Sequence, residues 1–217
     1  MSDDTARFDT RAADRCADDV GQALLQAAHQ VLADEGPFGL TVRRVAQVAG
    51  VSTMNVYSRF GGKDGLIEQL FIDGFVRLGE HMKSVPPTDD PVADLRRCRG
   101  RYRDFALANR TYYVVMFDSV IPDWRPSSVG KEVAYSALGG MAAAVQRAID
   151  AGQLAVTDAM AVATSLWATS HGLISLELRL HDDPRFDWPA IYDETLERLL
   201  TGFRSGPIDA DYGRRGA

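Results

Sequence analysis

The feature that most constrains the fold is a pair of short helical segments that meet at the tripeptide AGV, residues 49–51. The first segment follows Thr41, whose hydroxyl can accept a hydrogen bond from the free backbone donors of a first helical turn. The second follows Ser52, a candidate cap of the same kind, and runs to Phe60. Gly50 tolerates the left-handed backbone conformation of a tight turn. The sequence TVRRVAQVAGVSTMNVYSRF therefore predicts two helices joined by a tight turn.

This spacing is typical of a helix-turn-helix motif. Such a motif needs a small residue where the helices cross, here Ala46, and apolar residues that lock the second helix onto the first, here Val51 and Val56. Two packed core helices without a DNA-binding role would satisfy the same pattern. Residues outside the motif must therefore decide between these interpretations.

The rest of the chain has helical periodicity, because apolar residues recur every three or four positions and the alternation typical of strands is nearly absent. We predict an all-α fold with a domain boundary in the proline-rich and acidic segment 84–91. Residues 1–83 would form an N-terminal three-helix helix-turn-helix domain with a connecting helix over 63–83. Residues 84–206 would form a C-terminal helical domain for ligand binding and dimerisation, and residues 207–217 would lack fixed structure. The predicted helices run over about 11–35, 41–48, 52–60, 63–83, 92–108, 110–119, 127–151, 158–180 and 188–204.

Composition narrows the classes of function. No apolar run approaches the roughly 18 residues of a membrane helix, and the polar, acidic N-terminus lacks the core of a signal peptide, so we expect a cytoplasmic protein. The two cysteines, Cys16 and Cys98, belong to no CxxC or Cys/His cluster. The sequence therefore predicts no disulfide framework and no metal site, and both cysteines are expected to be at least half-buried.

The net charge of −6 argues against a protein that is basic over its whole surface. A local basic face is still expected, because the charged side chains of residues 36–65 are four cations and Asp64 alone. Those cations are Arg43, Arg44, Arg59 and Lys63.

The block GLTVRRVAQVAGVSTMNVYSRFGGKDGLIEQLF, residues 39–71, resembles the DNA-binding domain of the TetR family of bacterial transcriptional regulators. The resemblance covers about residues 15–75 and includes the pair Tyr57 and Phe60 and the run Gly61-x-Lys63-x-x-Leu66. The later segment LWATSHGLISLEL, residues 166–178, resembles the Trp-His-Gly signature of one C-terminal ligand domain in that family. The resemblance implies a homodimeric regulator, usually a repressor, that binds double-stranded operator DNA and a small effector. It implies no catalytic residue and no cofactor.

A recognition helix presents its exposed side chains to the major groove, and Thr53, Met54 and Asn55 lie on the side opposite Val56 and Phe60. Asn55 could offer a paired donor and acceptor to adenine, and its two neighbours could contact thymine methyl groups. The family resemblance implies phosphate contacts from the remaining polar residues. The predicted DNA-binding residues are Thr41, Arg43, Arg44, Ser52, Thr53, Met54, Asn55, Tyr57, Ser58, Arg59 and Lys63.

Three positions depart from the family pattern. Asn55 stands where a small residue or threonine is usual, and Arg59, which could add a phosphate contact, stands where histidine is frequent. Gly65 replaces a better helix former, at a cost of roughly 1 kcal/mol if it is helical. These departures leave the preferred base sequence open.

Aromatic residues and methionine in the C-terminal half could line an apolar effector site, with His171 as the main polar candidate, although each could equally be ordinary core. The predicted effector-binding residues are Tyr102, Phe105, Tyr112, Tyr113, Met116, Phe117, Trp124, Trp167 and His171. The resemblance further implies that the last two long helices pair with those of a second subunit. Many residues of their candidate apolar faces must also serve as core within the chain; the faces contain Leu166, Leu173, Ile174, Leu176, Ile191, Leu196, Leu199 and Leu200.

Three other functions remain to be weighed. A helical enzyme is disfavoured, because the sequence has no nucleophile elbow, no phosphate-binding glycine loop and no His/Glu metal pair at helical spacing. A DNA-binding regulator without a ligand response is the nearer alternative. A protein-binding scaffold would not need the exposed surface formed by Thr53, Met54 and Asn55.

Overall fold

The computed structural model describes residues 18–118, 121 and 123–204. Within these ranges the chain forms nine α-helices and no strand, which confirms the all-α prediction. The helices are α1 (Asp19–Gly39), α2 (Val42–Val48), α3 (Thr53–Phe60), α4 (Lys63–Lys83), α5 (Pro91–Ala108), α6 (Arg110–Phe117), α7 (Ser128–Asp150), α8 (Ala159–Leu180) and α9 (Trp188–Arg204).

The ends of α2 to α9 fall within two residues of the predicted ends. In α1 the backbone leaves the helical region at Gly36, with φ 71° and ψ −174°, where Gly36-Pro37 was expected to end the helix. The predicted start of that helix near residue 11, Cys16 and the predicted unstructured segment 207–217 lie outside the described residues.

Aspartates at helix starts explain several of these boundaries. The Asp158 carboxylate accepts a hydrogen bond from the backbone N–H of Ala161 at 2.9 Å, and Asp187 accepts one from Ala190 at 3.1 Å. Each bond satisfies a donor that the first helical turn leaves unpaired, and the negative charge is favourable beside that end of the helix. Both were predicted as caps from the sequence, and both predictions are confirmed.

Contacts divide the chain into two compact units, and the division falls elsewhere than the segment 84–91. The first unit comprises Met1–Val76 and Asn109–Val133, and the second comprises Arg77–Ala108 and Ala134–Ala217. Residues 109–133 belong to the first unit because α6 packs on α1 and α4. The Tyr112 ring lies 4.7 Å from the His29 ring, centre to centre, and its hydroxyl donates to Asp73 at 2.5 Å.

In the second unit, ion pairs attach α5 to α8 and α9. Arg103 donates to both carboxylate oxygens of Glu177 at 2.9 and 2.5 Å, and Arg96 does the same with Glu197 at 2.8 and 2.5 Å. The Glu177 side chain is only 10% exposed, so its pairing is required for the burial to be tolerated. The Tyr192 hydroxyl donates to the Arg99 carbonyl at 2.9 Å, and burial raises the pKa of Tyr192 to about 12.

The structure distinguishes core residues from exposed ones on the candidate apolar faces of α8 and α9. Leu166, Ile174, Leu196 and Leu200 are buried within their own chain, because α8 and α9 pack against each other and use these residues as core. On α8, Leu176 of the predicted set is exposed, and so are Ala168 and Gly172 on the same face. Cys98 is half-buried, as expected. In the stretches that the structure describes, none of the helices combines the length and apolar character needed to cross a bilayer.

Candidate nucleic-acid interface

Backbone hydrogen bonds define the turn between α2 and α3. Thr41 caps α2, since its hydroxyl accepts from the Arg44 N–H at 3.2 Å, as predicted. At the other end, the N–H of Val51 donates to the Ala46 carbonyl at 3.0 Å, and that of Gly50 donates to Gln47 at 3.2 Å. Gly50 has φ 68°, which confirms the predicted left-handed turn. This paired bonding is the Schellman arrangement, and it sets the direction in which α3 leaves the turn.

The two faces of α3 differ sharply in exposure. Val56 and Phe60 are buried, at 0% and 9% exposure, whereas Met54 and Tyr57 are 70% and 56% exposed. Thr53 and Ser58 are also exposed, and Asn55 is half-buried. The anchoring residues therefore hold α3 with its polar and apolar contact residues turned outward. This is the arrangement that a recognition helix requires.

Ser52 does not cap α3, contrary to the prediction. Its side chain makes no hydrogen bond to the first-turn backbone; instead, its hydroxyl accepts from the Asn55 side-chain nitrogen at 3.1 Å. The Asn55 oxygen accepts from Nη1 of Arg59 at 2.8 Å. Arg59 in turn donates from Nε and Nη2 to the Asp18 carboxylate, at distances from 2.7 to 3.1 Å. A side-chain network, Asp18-Arg59-Asn55-Ser52, thus links the start of α1 to the first turn of α3.

Asp18 is fixed from two sides. Its carboxylate also caps α1 by accepting from the Gly21 N–H at 2.5 Å. The hydrogen bond from Arg59, followed by that from Gly21, lowers the pKa of Asp18 below its ordinary value. The carboxylate therefore stays ionised through the physiological range, and the pair weakens only as the pH falls through this lowered pKa.

The expected basic face is smaller than the sequence indicates. Arg59, predicted to contact phosphate, is engaged by Asp18, and Arg44 donates from Nε to Glu35 at 2.6 Å. Arg43 is exposed, and Lys63 is half-exposed at the start of α4. Arg43 and Lys63 are accordingly the better placed cations for phosphate contacts.

The connection from α3 to α4 depends on three glycines. Gly61 ends α3 with φ 73°, and its N–H donates to the Tyr57 carbonyl at 3.0 Å. Gly62, with φ 131°, lies beside the Tyr57 ring. A Cβ added to Gly65 would lie 1.8 Å from the Phe60 carbonyl oxygen. The departure at Gly65 therefore has a steric reason, which is the close approach of α4 to the end of α3.

Five of the nine predicted effector-binding residues belong to the first unit, where aromatic rings form a connected cluster. Phe117 lies 4.8 Å from Tyr113 and 5.4 Å from Phe75, and Phe71 lies 5.0 Å from Phe75 and 5.6 Å from Trp124, all between ring centres. Tyr112, Tyr113 and Met116 are buried, whereas Phe117 and Trp124 are partly exposed. Trp124 and Phe117 are therefore the members of this cluster that solvent reaches.

The other four predicted effector-binding residues lie in the second unit. Tyr102 and Phe105 are buried core residues, each 3% exposed. Trp167 and His171 are partly exposed one turn apart on α8, with ring centres 6.1 Å apart. His171 Nε2 lies 3.5 Å from the Ser175 hydroxyl. No group of three or more potential metal-ligating side chains occurs among the described residues.

Comparisons with known proteins give one family match in the N-terminal part of the chain and another in the C-terminal part. Residues 24–70, which include α2 and α3, match the family described as bacterial regulatory proteins, tetR family. Residues 95–203, half of the chain, match the family described as tetracyclin repressor-like, C-terminal domain. The chain belongs to the TetR family. Members of this family are transcriptional regulators that bind DNA and small molecules, typically as dimers, and the prediction that the protein is not an enzyme is confirmed on that basis. The Trp-His-Gly subtype of its C-terminal domain stays a prediction.

Individual relatives are distant. An HTH-type transcriptional regulator of Mycobacterium tuberculosis is 24% identical over 146 residues, which cover 64% of this chain and 61% of that regulator. The chain thus spans less than two thirds of the length of the curated relatives it matches. A Rhodococcus protein of unknown function has a similar fold, with a TM-score of 0.75 at 24% identity over 86% of this chain and 96% of its own. FadR of Bacillus subtilis, solved with stearoyl-CoA, has a TM-score of 0.69 at 17% identity over 83% and 98%.

Sequence reasoning missed Asp18 in this TetR protein. The residue lies 41 positions from Arg59, outside the segment that resembles the recognition motif. An arginine in place of the frequent histidine at position 59 indicates a change of partner, but the partner itself is visible only once α1 and α3 are packed together.

Proposed function

We propose that this TetR-family protein is a cytoplasmic, ligand-responsive repressor that binds a palindromic operator as a homodimer. The observation that carries the proposal is the outward face of α3. Val56 and Phe60 anchor the helix, while Thr53, Met54 and Tyr57 remain exposed beside a turn of helix-turn-helix geometry. A surface of this kind matches the major groove, and exposed large apolar side chains such as Met54 can contact thymine methyl groups.

Phosphate contacts are proposed to come mainly from residues around this face. Tyr57 carries an exposed hydroxyl, Thr41 stands exposed at the start of α2, and Arg43 and Lys63 supply positive charge. Such contacts fix the register of the protein on the duplex without reading its sequence. Base reading is left to the first turn of α3, where Thr53, Met54 and Asn55 lie.

Substitutions should separate these two roles. We expect Lys63→Ala and Tyr57→Phe to weaken binding to all DNA sequences by similar ratios, with Lys63→Ala also reducing the salt dependence by about one counterion. We expect Asn55→Ala to change the preferred base at one position of each half-site. The measurement is selection of DNA by the purified protein from fragments flanking its own gene, followed by affinity titration at two salt concentrations.

Equal losses for all three variants with an unchanged base preference would contradict the assignment of roles. Failure of the wild-type protein to enrich any sequence would contradict operator binding itself. A selected site without two-fold symmetry would contradict the palindromic operator.

The proposed effector is a small, mostly apolar or aromatic molecule. Each unit by itself has partly exposed rings that such a molecule could contact: Trp124 and Phe117 in the first, and Trp167 with the polar His171 in the second. The fold neighbour from Bacillus subtilis was solved with stearoyl-CoA, which joins a long apolar acyl chain to a polar, charged coenzyme A group, and the acyl chain supports an apolar group in the effector here. The effector need only bind the DNA-incompetent dimer more tightly, and a coupling of about 1–3 kcal/mol changes operator affinity about 5- to 150-fold.

The effector proposal is tested with two probes, stearoyl-CoA and a neutral aromatic compound such as naphthalene. We expect at least one of them to raise the unfolding temperature and to lower operator affinity by a factor within that range. A probe that raises the unfolding temperature but leaves operator affinity unchanged would count against the switch. It would favour the alternative of a DNA-binding regulator without a ligand response.

A further inference from the structure

We propose that Arg59, held by Asp18, fixes the Asn55 amide so that it reads a base edge mainly as a hydrogen-bond donor and favours guanine over adenine. This inference rests on the proposed DNA-binding function and deepens it. It also replaces the expectation, drawn from the sequence, that Asn55 pairs with adenine through a donor and an acceptor.

The orientation of the Asn55 amide follows from the chemistry of its neighbour. A guanidinium group only donates hydrogen bonds, so the Asn55 atom 2.8 Å from Arg59 Nη1 must be the carbonyl oxygen. The amide nitrogen then points to the Ser52 hydroxyl, which accepts at 3.1 Å. A flipped amide would place its N–H groups against the guanidinium N–H groups, and two donors repel. The usual ambiguity between the oxygen and nitrogen of an asparagine is therefore removed here.

Arg59 is itself fixed by Asp18. Its Nε lies 3.0 and 3.1 Å from the two Asp18 oxygens, and its Nη2 lies 2.7 Å from Oδ2. A two-pronged contact of this kind sets the plane of the guanidinium as well as its position. The Arg59 side chain is 16% exposed, so solvent competes little for its donors. The remaining nitrogen, Nη1, is consequently aimed at Asn55.

The base that Asn55 can read depends on the hydrogen-bonding capacity that its amide keeps after bonding to Arg59 and Ser52. Reading adenine with two bonds requires the Asn55 oxygen to accept from N6 while its nitrogen donates to N7. Arg59 takes one of the two lone pairs of that oxygen, so N6 would have to share the acceptor with a cation, and within the part of the chain that the structure describes the second amide hydrogen of Asn55 has no acceptor. The amide therefore offers DNA one free donor and an acceptor that already holds a hydrogen bond from a cation. Guanine presents two acceptors, O6 and N7, whereas adenine presents an N6 donor that would compete with Arg59 for the Asn55 oxygen.

Ser52 and Arg59 bond the amide from its two ends, which also limits rotation of the Asn55 side chain. A reading group that is held in place before binding loses less conformational freedom when the complex forms. Asp18 and Arg59 are thus positioning residues for Asn55. They act on base preference without touching the base.

The test is selection of operator DNA by the full-length wild-type protein and by five variants: Asn55→Ala, Arg59→Ala, Arg59→Lys, Asp18→Asn and the double variant Asn55→Ala/Arg59→Ala. The position at which Asn55→Ala loses preference identifies the base pair that Asn55 reads. At that position we expect the wild-type protein to prefer guanine over adenine by about 2- to 10-fold, the range of one net hydrogen bond. Arg59→Ala should move the preference toward adenine, because the Asn55 oxygen can then accept without competition from a cation.

Arg59→Lys tests whether the shape of the Arg59 side chain matters apart from its charge. Asp18→Asn tests the hold on Arg59 without removing the cap of α1. Arg59→Lys keeps the positive charge but lacks the planar fork that joins Asp18 to Asn55, so it should also move the preference toward adenine. Asp18→Asn retains a side chain that caps α1 well while weakening the hold on Arg59, and should move the preference in the same direction. Arg43→Ala is the matched control. It removes another cation of the interface, so it should lower affinity and leave the guanine preference intact.

The double variant supplies the decisive comparison. Once Asn55 is absent, Arg59→Ala should change affinity but have no further effect on preference at that base pair. Wild-type preference for adenine at the Asn55 position, or an unchanged guanine preference in Arg59→Ala and Arg59→Lys, would overturn this inference while leaving DNA binding intact. Absence of any selected sequence for the wild-type protein would instead overturn the proposed function.

Discussion

Gly65→Ala is expected to destabilise the first unit and to abolish high-affinity operator binding. A Cβ at this position would lie 1.8 Å from the Phe60 carbonyl oxygen, whereas even attractive contacts between carbon and oxygen are about 3.3–3.6 Å long. Alanine is the better helix former by about 1 kcal/mol, but relief of the clash requires α4 to move away from the end of α3. Overpacking of this kind costs typically about 1–3 kcal/mol.

The same movement would reach the DNA-binding residues. Lys63 opens α4, and the Tyr57 ring lies against Gly62 in the connection, so a shift of α4 changes the spacing between two proposed phosphate contacts. Displacements of about 1 Å are large against the tolerances of a binding site. We therefore expect the loss of operator affinity to exceed what the loss of stability alone explains.

Gly79→Ala is the matched control for this substitution. Gly79 lies in the same helix, and a Cβ there would meet nothing within 4 Å. Alanine should therefore stabilise the protein by about 0.5–1 kcal/mol by removing the flexibility of glycine from a helix interior. Denaturant unfolding of both variants measures the contrast. Stabilisation by both alanines would show that α4 approaches α3 less closely at Gly65 than the structure describes.

The helices could be predicted from the sequence because local chemistry sets their ends. Thr41, Asp158 and Asp187 each accept a hydrogen bond from an N–H in the turn that follows them, and Gly50 and Gly61 adopt the left-handed conformation that ends a helix. All these signals lie within a few residues of the boundary that they define. The recognition motif was visible for the same reason, since its spacing is short and strict.

The parts that the sequence did not predict depend on residues distant along the chain. Ser52 makes no cap bond and accepts from Asn55, and Asn55 is placed by an arginine whose partner lies at the start of α1. Likewise, helical periodicity identifies an apolar face without showing what covers it, so Leu196 could not be distinguished from a dimer contact until α8 and α9 were packed. The DNA-binding set stays a prediction, and the hydrogen bonds of Ser52, Asn55 and Arg59 became visible only in the fold.

Ala168→Arg is expected to convert the protein to a monomer. On α8 the exposed positions recur every four residues and carry small or apolar side chains at Ala168, Gly172 and Leu176, the last of which is 48% exposed. A long charged side chain in the middle of this row would be forced into the proposed subunit contact and would leave a desolvated charge there. Sedimentation should show the mass falling from that of a dimer to the chain mass of 23.8 kDa.

A control for added charge is Ala143→Arg, at an exposed position on α7, which should leave the mass unchanged. A wild-type protein that is already monomeric on its operator would contradict the homodimer. A dimeric Ala168→Arg variant with full operator affinity would place the subunit contact outside this face of α8.

Ala168→Arg should change the affinity for the operator, whereas Asn55→Ala should change the base preference. Joining two recognition helices makes the second binding event intramolecular and can raise overall affinity about 10²- to 10⁴-fold without any new contact. Loss of the dimer should therefore lower operator affinity by about that factor, while each isolated α3 retains its base preference within a half-site. Asn55→Ala should leave the dimer intact and alter the preference instead. Because subunit contact and base reading lie in different helices, affinity and sequence preference should be separable by single substitutions.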